Sequence, residues 1–77
     1  MTPKMFLRAL RGYCNRRRFR RFAIELTSGS LLQVPHPEAV IREGNLFVFR
    51  LPDGRYEVFA AANVARLFDV PPLPPPS

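Results

Sequence analysis

The chain has 77 residues, 47% of them apolar, and a net charge of +6 from twelve Lys and Arg against six Asp and Glu. That length holds one domain at most, and the apolar content is that of a folded chain rather than a disordered one. The single cysteine excludes an internal disulfide, one cysteine with one histidine excludes a tetrahedral Cys/His metal site within the chain, and no apolar run reaches the ~18–20 residues that span a bilayer.

The first 21 positions carry eight cations and no acid: Lys4, Arg8, Arg11, Arg16, Arg17, Arg18, Arg20 and Arg21. They give +8, whereas the four later arginines against six acids leave −2 over residues 22–77. Within this stretch Thr2-Pro3 reads as a helix start, with Thr2 as N-cap and Pro3 at the first helical position. Phe6, Leu10 and Tyr13 follow at helical spacing, while Lys4, Arg8 and Arg11 recur at i, i+4, i+7 on another face. Gly12 is the expected stop, so the prediction is a short amphipathic helix over 3–12. The basic N-terminus has no signal-peptide apolar core, because Arg8, Arg11 and Arg16 interrupt it. With a lone thiol and no export signal, the expected location is cytoplasmic.

The pattern then changes period. Phe22, Ile24 and Leu26 alternate with smaller or polar residues, which predicts a half-buried strand, and Ser28-Gly29-Ser30 supplies a tight turn. Leu31–Val34 is a second short strand. Pro35-His36-Pro37 interrupts it, because proline donates nothing to a ladder. Pairing resumes over 39–42, as a bent strand or a pair of strands. Gly44-Asn45 turns the chain into Leu46–Leu51, the strongest strand signal, with Phe47 and Phe49 on one face and Leu46 and Val48 on the other. That predicts burial on both faces. Pro52-Asp53-Gly54 is a hairpin signal, Arg55–Phe59 alternates again, Ala60–Asn63 reads as one helical turn or loop, and Val64–Phe68 closes the folded region.

The expected fold class is therefore mainly β: a short N-terminal α-helix followed by a five-stranded, strongly bent small barrel over residues 1–69. Closure protects the edges of such short strands. Residues 70–77 hold five prolines and form an expected disordered tail, either a spacer or a ligand for SH3-, WW- or EVH1-type grooves. A core this small makes self-association through strand edges the expected source of added stability.

In order and spacing the chain resembles the Sm-like proteins of the Hfq type. Phe6–Arg11 matches their helix and Ile24–Gln33 their first hairpin; the match resumes weakly at Phe47–Phe49 and from Val58 to Leu67. The resemblance implies a ring of subunits that binds RNA. It also implies a cationic rim patch at Arg16, Arg17 and Arg18, and a base-stacking aromatic at Phe47. The family's pore-gripping Lys-His pair falls on Ala60-Ala61, and Leu46 stands where the family has Gln. The implied contact is thus the rim, not a uridine-specific pore.

The residues point the same way. An arginine run without acids suits phosphate, because each guanidinium presents a planar fork of donors. Arg16, Arg17, Arg18, Arg20 and Arg21 are the expected phosphate ligands, aided by Lys4, Arg8 and Arg11, and Phe19 is placed either to stack on a base or to plug the core. RNA or another polyanion is the expected partner. The alternative is a non-enzymatic, oligomeric protein-interaction module in which the arginines are partner contacts or solubilising charge. A third reading lays the helix on an anionic membrane surface. His36, beside Glu38, reads as a turn residue and Cys14 as a structural thiol. No phosphate loop, nucleophile elbow or clustered carboxylates are present, so neither catalysis nor a cofactor is expected.

Overall fold

The computed structural model describes residues 1–71; the segment 72–77, and with it most of the proline-rich tail, lies outside the described residues. Helix α1 runs Pro3–Cys14, followed by strands β1 (Phe22–Leu26), β2 (Leu31–Val34), β3 (Val40–Glu43), β4 (Leu46–Arg50), β5 (Tyr56–Ala60) and β6 (Val64–Asp69). Three-residue 3-10 turns precede β3 (Pro37–Ala39) and β6 (Ala61–Asn63).

The start of α1 follows its capping chemistry. The Thr2 side chain accepts from the Met5 N–H at 3.1 Å, and Pro3 occupies the first turn, where its missing N–H costs nothing. The end does not follow the glycine. The helix passes through Gly12 to Cys14, and the Asn15 N–H closes it on the Arg11 carbonyl at 2.9 Å. Tertiary packing explains the extra turn, since Tyr13 stacks on Phe22 with ring centroids 4.9 Å apart.

The strands form two antiparallel three-stranded sheets, ordered β2–β1–β6 and β3–β4–β5, rather than the expected five-stranded closed barrel. Pro35 and Pro37 account for the difference. With no N–H to offer the ladder at either position, the chain leaves β2 at Val34, turns through the 3-10 segment and starts a separate strand at Val40. In the first sheet β1 is central, pairing Phe22 with Val34 on one side and with Asp69 on the other. Its register against β6 shifts between Glu25 and Leu26. In the second sheet β4 is central, and Phe47 pairs with Arg42 and Phe59. The β1–β2 and β4–β5 hairpins turn on Gly29 (φ 94°) and Gly54 (φ 92°), backbone conformations that side-chain-bearing residues resist. In the second turn, the Arg55 backbone N–H and guanidinium both reach Asp53, at 3.0 and 2.7 Å. They hold its carboxyl below the ordinary value.

One core joins both sheets and the helix. Phe6 is fully buried and meets Phe47 and Phe59 edge-on, at 4.6 and 5.7 Å between centroids. At the other end of the helix, Tyr13 lies on Phe22 of the first sheet. The helix thus packs against both sheets. Each such aromatic pair adds about 0.5–1.5 kcal/mol beyond area burial.

Two expectations about the middle strand change. Phe47, the proposed base-stacking residue, is 1% exposed and stacks on Phe59 inside the core, so neither ring face reaches solvent. Leu46 and Val48, expected to be buried, lie on the sheet's outer side, where Leu46 is exposed and Val48 partly so. Among the described residues no helix is long and apolar enough to cross a membrane.

Candidate nucleic-acid interface

Residues 15–21 link α1 to β1 and hold five of the eight N-terminal cations. The link is pinned at two places. Arg16 folds back onto the protein: its Nη1 donates to Asp69 Oδ1 at 2.8 Å, its Nη2 to the Arg20 carbonyl at 3.0 Å and its Nε to the Tyr13 carbonyl at 3.3 Å. The guanidinium also lies 4.9 Å from the Tyr13 ring centroid, and the side chain is only 22% exposed. Phe19 is the second pin. It packs against the core with its ring edge-on to Phe22 at 6.1 Å.

These pins separate the predicted phosphate ligands. Arg16 has committed three donor groups to the protein, which makes it a latch rather than a free ligand. Arg20 makes a looser pair with the other Asp69 oxygen, at 3.5 Å, and stays exposed. Arg17, Arg18 and Arg21 are exposed, and no carboxylate among the described residues lies within 4 Å of them. Their placement follows from the pins: Arg17 and Arg18 occupy the short arc between Arg16 and Phe19, so they face water. Of the two roles open to Phe19, the structure shows the core plug.

The helix adds the other three. Lys4, Arg8 and Arg11 are exposed on the side opposite Phe6, and none has a carboxylate partner among the described residues. The helix dipole favours only one of them, Arg11 in the last turn. Lys4 sits in the first turn, where the helix dipole disfavours a cation, and that turn contains no acid. Lys4 and Arg8 are like charges one turn apart, an arrangement that costs a few tenths of a kcal/mol.

The remaining acids are engaged elsewhere or face other surfaces. Glu25 takes Arg66 at 2.8 Å, Asp53 takes Arg55 at 2.7 Å and Glu38 meets His36 Nδ1 at 3.2 Å. His36 and Glu38 are thus in direct contact. The carboxylate that matters at the arginine segment is Asp69, 53 residues from Arg16 in sequence. Nothing local marks it in the sequence; only the pairing of β6 with β1 brings it to Phe22 and the end of the segment. An open groove of about 410 Å³ lies beside it, lined by Ala9, Gly12, Tyr13, Arg16 and Asp69.

Cys14 is not an activated thiol. Burial pushes its pKa up, the Glu38 charge adds to that, and Arg16 opposes it only in part. At neutral pH it is a protonated side chain packed beside the core. Comparison with family models, with curated proteins and with solved structures finds no match to this chain.

Proposed function

We propose that this protein binds single-stranded RNA through the phosphate backbone, using Arg17, Arg18, Arg20 and Arg21 with the helical stripe Lys4, Arg8 and Arg11. Arg16 has a different role: anchored on Asp69, it fixes the path of the segment that displays the others. The observation that carries this reading is the set of six cations on α1 and the link after it, Lys4, Arg8, Arg11, Arg17, Arg18 and Arg21, that have no carboxylate partner among the described residues. A field of one sign on one segment attracts polyanions. The Sm-like resemblance over 6–11 and 24–33 supports RNA as the polymer and a multi-copy assembly as its setting.

Recognition in this scheme is by charge. Phe47 is buried in the core and Phe19, partly buried, packs against it, so this scheme assigns neither a base-stacking contact. Binding is expected to be nearly indifferent to base sequence and steeply dependent on salt. For four single-strand phosphate contacts, the log–log slope of affinity against salt is about −3. Fluorescence anisotropy of labelled single-stranded RNAs over a salt series measures it. A flat response, or purified protein with no affinity for any polyanion, would remove this function in favour of a protein-interaction module.

A further inference from the structure

The outer side of the β3–β4–β5 sheet is apolar, and none of the described residues covers it. The strand register arranges it as a small grid. Its middle row is Ile41–Val48–Val58; one end row is Glu43–Leu46–Ala60, and the other is Arg50–Tyr56. Ile41 is 50% exposed, Val58 58% and Tyr56 63%. Glu43 and Arg50 stand at opposite ends of the grid, and neither has an ion-pair partner among the described residues.

We propose that this face joins two copies of the chain, stacked sheet against sheet about a two-fold axis that lies in the interface, perpendicular to the strands. The grid is self-complementary under that operation and not under the alternative. With the axis across the strands, the middle row meets its own copy, so Ile41, Val48 and Val58 form a continuous apolar centre. The end rows exchange. Tyr56 then lies over Ala60, a large side chain over a small one, and Arg50 lies over Leu46 with its guanidinium directed towards the partner's Glu43. An axis parallel to the strands would instead set Arg50 against Arg50 of the partner, leaving both charges desolvated and unpaired. Isologous pairing of this kind is the commonest symmetry of soluble assemblies.

The size of the face sets the strength. Three strands about 4.8 Å apart and about 17 Å long offer less than the ~800 Å² per partner of a standard interface. The dimer is therefore weak and concentration-dependent. Its interface lies on the sheet that does not include β1 and β6, the strands holding the arginine segment, so association leaves that segment accessible. The inference is independent of RNA binding: a strictly monomeric RNA binder would end it and leave the proposed function standing.

Sedimentation velocity of nuclease-treated full-length protein over a concentration series tests it. The expected result is a monomer–dimer equilibrium that Val58→Lys weakens by about tenfold or more, since two ammonium groups would be desolvated at its centre. Arg50→Glu alone should weaken association, and Arg50→Glu with Glu43→Arg should restore it towards the wild-type value. Both charged side chains are exposed, so this pair remains decisive if Val58→Lys compromises folding, which circular dichroism reports. A monomer at every concentration, Val58→Lys dimerising as the wild type does, or a double variant no better than Arg50→Glu would each overturn the proposal.

Discussion

Residues 1–21 and the rest of the chain handle charge in opposite ways. Beyond position 21, three of the four arginines are held: Arg55 and Arg66 each sit on a carboxylate under 3 Å away, and Arg42 donates to the Gly44 carbonyl at 3.0 Å, which leaves Arg50 without an ion-pair partner among the described residues. Before it, eight cations share Asp69 alone among the described residues. The apolar side chains of that first region show the reverse pattern, for Phe6 is fully buried and Tyr13 and Phe19 pack against the core. The N-terminal region therefore stabilises the fold through its apolar face. Six of its eight cations have no carboxylate partner among the described residues.

Variants can break or sharpen that contrast. The largest expected effect is Phe6→Ala, which empties the site facing Phe47 and Phe59 and should cost about 3–5 kcal/mol in urea unfolding. For a domain of this size that loss approaches the whole stability. Replacing Arg17, Arg18 and Arg21 together with alanine should leave stability within about 0.5 kcal/mol of wild type. The same triple variant should flatten the salt slope by about 2 and reduce RNA affinity about 100-fold near 0.1 M salt. If the contrast fails, it fails here, with a triple variant that unfolds or binds normally.

Asp69→Asn sharpens it from the other side. The substitution releases Arg16 and Arg20, and it should cost about 1 kcal/mol in thermal unfolding, limited by solvent screening of a half-exposed carboxylate. RNA affinity should rise severalfold as two guanidinium groups lose their internal partner. Gly12→Ala is expected to stabilise by about 0.5–1 kcal/mol. A Cβ at that helical position meets nothing within 4 Å, and RNA affinity should not change.

The smallest effect concerns Cys14, whose pKa is raised in the folded state above the ordinary 9.0. The neutral thiol is favoured by folding, so this contribution is complete below that ordinary value and is lost as pH rises through the folded pKa. Cys14→Ser should remove this alkaline loss from the stability profile, and the native thiol should alkylate more slowly at pH 8 than the unfolded chain.

What could be read in the sequence was what depends on neighbours along the chain. Thr2-Pro3 starts the helix as its capping chemistry requires, and the turns at Gly29, Gly44 and Gly54 fall where the glycines place them. Strands β1 and β5 were recognisable from their alternation and β4 from its apolar run. Gly12 misled because a glycine ends a helix only when tertiary contacts do not carry it further, and Tyr13 against Phe22 does so. The barrel expectation failed at Pro35–Ala39, where local bending and a complete change of sheet have the same sequence signature. The base-stacking role of Phe47 came from the family resemblance, whereas its period-2 spacing favoured the core, where Phe6 and Phe59 cover it. Arg16 appeared interchangeable with Arg17 until β6 delivered Asp69 to it.

The Arg16–Asp69 clasp has a practical consequence. It sits at the last residue of β6, and the next backbone N–H, that of Val70, reaches the Arg21 carbonyl at 3.4 Å. The described chain therefore leaves the fold beside the guanidinium cluster. An epitope tag rich in aspartate at that end would act as a tethered decoy, held at high effective concentration and masking the affinity it was meant to help measure.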